Sequence, residues 1–200
     1  MKKIITILAA LSLCASAYAL MPTFGARAGL NLSRMSNFKN DSQISYPAKP
    51  GLYVGVTSEF EGLLGMMDLR VEAYMSGQGQ RMKSKSIDEI NTLKLTYLNI
   101  PVLAQYKVLD DRLSVFAGPE LGICFGGKNV NRAGKTVQKT KLDRNEYSRF
   151  DFALVLGAEY EIAKGFGVEL RFDLGLTNAL ANTAKTYANR SLQLGATYKF

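Results

Sequence analysis

The sequence predicts an all-β fold, an eight-stranded antiparallel up-and-down transmembrane β-barrel, and three observations carry the prediction. Eight stretches alternate apolar and polar residues with a period of two. The connections between them run long, short, long, short, long, short, long. The polar face of the stretches carries glycines and charges of both signs, a composition suited to a crowded interior rather than a solvated exterior.

Ahead of the first stretch lie a basic pair, Lys2 and Lys3, an apolar run from Ile4 to Leu13, and Ala17-Tyr18-Ala19. This order predicts an export signal over residues 1–19, cleaved to leave a barrel domain over 20–200. A largely apolar run of ten residues is too short for a membrane-spanning helix. Leu13, directly before Cys14, does not suit a lipidation site. Cleavage leaves Cys124 as the one thiol, so no intramolecular disulfide is expected.

Each element follows from the parity of its residues. The first stretch sets Ala26, Ala28, Leu30 and Leu32 against Arg27, Gly29, Asn31 and Ser33. The second sets Leu52, Val54, Val56 and Phe60 against Tyr53, Gly55, Thr57 and Glu59. Gly62 to Gly65 marks a tight turn into the third, where Met67, Leu69, Val71, Ala73 and Met75 oppose Asp68, Arg70, Glu72 and Tyr74. In the fourth, Leu93, Leu95 and Tyr97 start on the apolar face and Leu98, Ile100, Val102, Ala104 and Tyr106 continue it one residue out of phase. That slip predicts a β-bulge near Tyr97 to Pro101.

A turn at Leu109 to Arg112 leads to the fifth stretch, with Leu113, Val115, Ala117, Pro119, Leu121, Ile123 and Phe125 on its apolar face. The sixth carries Phe150, Phe152, Leu154, Leu156, Ala158, Tyr160 and Ile162. A turn at Ala163 to Gly165 precedes the seventh, with Phe166, Val168, Leu170, Phe172, Leu174 and Leu176. The eighth has Leu192, Leu194, Ala196, Tyr198 and Phe200.

Aromatic residues decide that the apolar face meets lipid. Phe24, Phe60, Tyr106, Tyr160, Phe166, Tyr198 and Phe200 fall at one strand end beside the short turns, as an interfacial girdle requires. The polar face then lines a narrow lumen. It carries Arg27, Arg70, Lys94, Lys107, Arg149, Arg171 and Lys199 against Glu59, Glu61, Asp68, Glu72, Glu120, Asp151, Glu159, Glu161, Glu169 and Asp173. From this set an ion-pair network is expected among Arg27, Asp68, Arg70, Glu72, Glu120, Glu159, Glu169, Arg171 and Asp173. With the termini beside the short turns, the long loops at 36–50, 77–92, 126–147 and 178–189 face outside the cell.

Charge is distributed unevenly between these parts. The chain has a net charge of +8 and no histidine. The four long loops hold 12 Lys and Arg against 5 Asp and Glu, while the rest of the mature chain holds 11 against 12. The excess makes Lys128, Arg132, Lys135, Lys139, Lys141 and Arg144 the candidate contacts for anionic glycan or lipid, with lipopolysaccharide a natural counterion. Nucleic acid is not an expected partner of an exported barrel.

Catalysis finds little support. Without histidine there is no Ser-His-Asp arrangement and no His-containing zinc site. The lumen carboxylates are interleaved with arginines, a structural pattern. Ala133-Gly134-Lys135-Thr136 lacks the first glycine of a phosphate-binding loop, since Asn129 stands there, and Gly77-Gln78-Gly79 lacks the third glycine of a dinucleotide fingerprint. No catalytic residue, metal site or cofactor is expected.

Four short motifs remain: Gly25-Ala26-Arg27-Ala28-Gly29-Leu30-Asn31, Tyr97-Leu98-Asn99-Ile100-Pro101, Phe116-Ala117-Gly118-Pro119-Glu120-Leu121-Gly122 and Gly195-Ala196-Thr197-Tyr198-Lys199-Phe200. In these the chain resembles the outer-membrane β-barrel proteins abundant in Bacteroidetes, the family described as PorT-like. The resemblance implies an outer-membrane barrel of about this size. One branch of that family assists a protein secretion system, which implies an envelope protein partner as an alternative role. The terminal aromatic matches the signal by which barrel-assembly machinery recognises its clients, which implies that role for Tyr198 and Phe200. The expectation is a monomeric structural or interaction protein of a Gram-negative outer membrane, with a narrow channel for ions or small solutes as a second alternative.

Overall fold

The computed structural model describes residues 21–36, 38, 43–87, 89–109, 112–134, 136–180 and 187–200. The expected export signal, residues 1–19, lies outside them. Ten strands form among the described residues: β1 (Thr23–Met35), β2 (Ile44–Ser45), β3 (Lys49–Phe60), β4 (Asp68–Ser84), β5 (Glu89–Val108), β6 (Leu113–Ala133), β7 (Thr136–Lys141), β8 (Phe150–Ala163), β9 (Phe166–Gly175) and β10 (Asn189–Lys199). Eight of them, β1, β3, β4, β5, β6, β8, β9 and β10, pair antiparallel with their neighbours in chain order. Pairing of β1 with β10, from Gly25↔Lys199 to Met35↔Asn189, closes the ring and leaves no edge.

Alternation sets the two faces of the wall. Leu52, Val54, Leu156, Leu170 and Leu194 stand exposed on the outside, whereas Arg27, Arg70 and Glu169 on the inside are at most 1% exposed. Such a surface is stable only in lipid, because every strand offers apolar side chains outward while the closed ladder satisfies the backbone. At one end the turns are tight. Gly62 (φ 64°) and Gly65 (φ 79°) join β3 to β4, and Gly165 (φ 79°) joins β8 to β9, positions where the left-handed backbone favours glycine.

The other end departs from the sequence expectation in two ways. Residues 77–92 and 126–147 were expected as loops, yet β4 runs on to Ser84, β5 starts at Glu89, β6 runs to Ala133, and β7 folds back onto it from Ala133↔Thr136 to Lys128↔Lys141. A sheet of β2, β4, β5, β6 and β7 therefore stands beyond the bilayer, continuous with the barrel wall. Its polar residues had concealed it, because a strand outside the membrane needs no apolar face toward lipid.

The second correction concerns the phase slip in β5. The β4–β5 register is unbroken from Asp68↔Gln105 to Lys83↔Ile90, so β5 does not slip. Leu93, Leu95 and Tyr97 point inward, where they pack with Met35, Cys124 and Ala179. The register shift belongs to the β5–β6 pair: Thr96 faces Gly126 while Tyr97 faces Cys124, which makes Phe125 the extra residue on β6.

Candidate functional site

The lumen is filled by charge in the half nearer the tight turns. Arg27 comes from β1, Arg70 and Glu72 from β4, Glu159 from β8, and Glu169 and Arg171 from β9, each at an inward parity position. Arg171 grips Glu72 with two parallel hydrogen bonds of 2.7 and 2.8 Å. Arg70 Nε lies 2.6 Å from the same carboxylate and its Nη1 2.7 Å from Glu159. Arg27 bonds Glu72, and donates to Glu169 and Gln193 at 2.9 Å each.

Lys199 closes the lower edge, 3.0 Å from Glu59 and 3.2 Å from Glu159. Four cations thus face four carboxylates in this cluster among the described residues. Aromatic rings seal the spaces between them. The Arg27 guanidinium lies 4.6 and 4.5 Å from the Tyr53 and Tyr74 ring centres, and Arg70 and Arg171 lie 5.1 and 4.9 Å from that of Phe116. The Tyr53 hydroxyl donates to Glu169 at 2.8 Å and crosses the paired Gly29 and Gly195, where a Cβ on either residue would strike it.

Three residues expected in this network lie elsewhere. Asp68 sits at the rim beside the tight turns, 3.2 Å from Lys107 and accepting from the Gly62 amide. Glu120 accepts from the Tyr74 hydroxyl at 2.6 Å, and Asp173 from the Gln193 amide. Glu120 and Asp173 line, with Asp151, Asn189, Tyr97 and Asn99, a cavity of about 10 Å³ above the arginines, the size of one water. Lys94 and Arg149, expected inside, are exposed.

Above this cavity the mouth is closed by an apolar cap. Met35, Leu93, Leu95, Tyr97, Cys124 and Ala179 form its buried centre, and Phe38, Leu142, Tyr147, Leu180 and Tyr187 pack over them from the connecting segments. Cys124 serves as a small buried filler here, with its thiol 3.7 Å from the Gly126 carbonyl oxygen. Among the described residues, the ion pairs and this cap fill most of the lumen.

The outer sheet carries a different kind of order. Residues directly opposite on antiparallel strands share a face, as do residues two apart on one strand. The register therefore puts Lys94, Lys128 and Lys141 in one row across β5, β6 and β7. The next row holds Arg81, Thr92, Val130 and Lys139, and the one above it Lys83, Ile90, Arg132 and Val137.

All seven of these cations occupy the face turned away from the barrel axis, and none has a carboxylate within 4.0 Å among the described residues. The inward face of the same strands presents Gln78, Gln80, Leu93, Leu95, Asn129 and Asn131. Like charges directly opposite one another destabilise a sheet, so this segregation favours an external anion.

Of the residues expected to meet anions, Lys128, Arg132, Lys139 and Lys141 lie on this face, Arg144 follows β7 in an exposed segment, and Lys135 lies outside the described residues. Sequence reasoning missed Arg81, Lys83 and Lys94. Parity carried through residues 77–94 would have found them, since all three share the outward phase with Met75 and Leu98. At the tight-turn end, Tyr198 and Phe200 stand on the outer wall with rings 5.5 Å apart, and the Phe200 amide donates to the Phe24 carbonyl at 2.9 Å.

Residues 20–181 match a family described as an outer membrane protein beta-barrel domain. Among solved structures, the neisserial surface protein NspA is similar at 12% identity and a TM-score of 0.52, covering 88% of this chain and 97% of its own. Ail of Yersinia pestis, solved with the heparin analogue sucrose octasulfate, is 12% identical with a TM-score of 0.49, covering 90% and 100%. OprG of Pseudomonas aeruginosa is 11% identical with a TM-score of 0.44, covering 90% and 97%. At these identities the likeness is one of fold. No curated protein matches the chain in sequence.

Proposed function

We propose, from the premise that this chain belongs to the outer membrane protein beta-barrel domain family, that it is a non-enzymatic interaction protein of the outer membrane whose outward cationic sheet contacts polyanions at the cell surface. The observation that carries the reading is the segregation of seven cations onto one face of β4–β7. Anionic glycans and glycolipids surrounding the barrel are the partners within reach of a face turned away from its axis.

The reading makes the protein a monomer that inserts through the barrel-assembly machinery, with Tyr198 and Phe200 as its recognition signal and residues 1–19 removed on export. A narrower kinship with the PorT-like barrels of Bacteroidetes rests on the motifs around Gly25–Asn31 and Gly195–Phe200. The packed arginine cluster argues against the channel alternative.

The test is binding of the refolded barrel to dextran sulfate and to phosphorylated oligosaccharide cut from lipopolysaccharide. Binding is expected to weaken steeply with salt, because exposed charges are screened over about 8 Å at physiological ionic strength. In R81Q/R132Q/K139Q, affinity should fall roughly a hundredfold, three cations at about 1 kcal/mol each. Salt-independent binding, or unchanged affinity in this variant, would sink the reading.

A further inference from the structure

The lowest row of the cationic face lies at a special depth. Along β5 the outward side chains run Tyr106, Ala104, Val102, Ile100, Leu98, Thr96 and Lys94. Ten residues separate the girdle residue Tyr106 from Thr96, about 33 Å of strand, or roughly 25 Å of height at a tilt near 40°. That height equals the apolar band of such barrels. Lys94, the next outward residue, therefore stands at the level of outer-leaflet headgroups, with Lys128 and Lys141 beside it.

Two concavities meet at this point. One, of about 490 Å³, is lined by Lys94, Lys128 and Lys141 together with Phe125 and Tyr147. The other, of about 670 Å³, runs down the lipid-facing wall between Leu30, Leu52, Val54 and Met75. Thr96 lines both, so they adjoin at this residue.

The lower groove has a structural origin. The β3–β4 ladder stops at Tyr53↔Ser76, although β3 continues to pair with β1 and β4 with β5. Side chains replace the missing rungs from inside: Asn31 and Lys49 donate to the Gly77 carbonyl at 3.1 and 3.0 Å, and Ser33 to that of Gly79 at 3.1 Å. Outside, Gly77 contributes no side chain. A Cβ built there meets only the Lys49 Nζ, at 3.9 Å, so the space is open.

The geometry points to a binding site for one phosphorylated glycolipid of the outer leaflet, its phosphate on the Lys94–Lys128–Lys141 row and an acyl chain in the groove beneath Thr96. The assignment rests on the polyanion reading above and narrows it to one ligand class at one place. Charge complementarity selects the headgroup, and the apolar concavity adjoining the basic one at Thr96 selects a lipid over a soluble glycan.

The experiment reconstitutes the full chain in phosphatidylcholine vesicles holding a minor fraction of diphosphoryl lipid A, extracts it gently, and counts retained lipid A by native mass spectrometry. The wild type should retain one lipid A per barrel. K94Q/K128Q/K141Q should lower retention roughly a hundredfold, three exposed cations at about 1 kcal/mol each. G77L, which fills the groove, should lower retention of lipid A yet leave binding of the deacylated disaccharide bisphosphate unchanged. Heat-dependent gel mobility confirms folding of each variant.

Wild-type retention by either variant would overturn the site. So would equal loss in R132Q/K139Q, which would leave the broader polyanion surface standing without a defined lipid position. Failure of the soluble polyanions to bind at all would remove that broader surface as well.

Discussion

Glu72 faces three guanidinium groups: Arg171 donates to it twice, while Arg70 and Arg27 meet it once each. A buried ion pair adds little net stability compared with an apolar core, but removing one partner leaves the others uncompensated. In E72Q Arg27 keeps its hydrogen bond to Glu169, Arg70 and Arg171 keep that carboxylate only at 3.6 and 3.5 Å, and the three arginines lose the charge that balances them. Stability should drop by about 3–5 kcal/mol, read as a lower urea midpoint for the gel-mobility transition in lipid vesicles. An unchanged midpoint would mean that the arginines are neutralised from elsewhere. The participants Arg27, Arg70, Arg171, Glu159 and Glu169 could be picked out by parity, but parity places a residue on a face without giving its height. Asp68, Glu120 and Asp173 share the inward face and still fall outside the cluster, because they sit at the rim or above the arginines.

Among the elements, β6 shows how one residue sets a surface. Phe125 is the extra residue between the pairs Thr96↔Gly126 and Tyr97↔Cys124. Below it the even positions of β6, such as Phe116 and Cys124, point inward; above it the even positions Lys128 and Arg132 point out. Deleting Phe125 alone would remove the bulge and leave Lys128 and Arg132 facing out, whereas deleting Phe125 and Gly126 together would turn both inward, into the row of Leu93 and Leu95, where burial of unpaired charge is costly. The expected result of the double deletion is a barrel with normal heat-dependent mobility whose β6–β7 hairpin has come loose. Limited trypsin digestion should then cleave at Lys128 and Arg132, and polyanion binding should fall. Continued trypsin resistance with intact binding would contradict the assigned role of the bulge. In the sequence this bulge was visible only indirectly, as a change of phase placed on the wrong strand. Leu93, Leu95 and Tyr97 looked like a lipid-facing row because apolar side chains fill both environments.

For the whole molecule, closure by β1 and β10 gives a rigid cylinder plugged by ion pairs below and an apolar cap above. In planar bilayers the purified protein should show no single-channel steps, and R70Q or R171Q should not produce selective ones. Reproducible steps altered by either change would instead support a conducting lumen. With the described lumen largely filled by side chains, the surfaces available for contact are the outward wall and the sheet continuing it.

Periodicity by itself determined that eight strands make a closed barrel, which face of most strands meets lipid, and where the tight turns fall, because these depend on neighbours two residues apart and on local glycine conformations. Charge counting also located the basic end. Only the tertiary structure decided that 77–92 and 126–147 continue as sheet, that Leu93, Leu95 and Tyr97 cap the lumen, and that Lys94 stands beside Lys128 and Lys141. The physical reason is that cross-strand neighbours are chosen by register. Register is set by bulges and pairings between residues far apart in sequence, and alternation along a single strand carries no record of it.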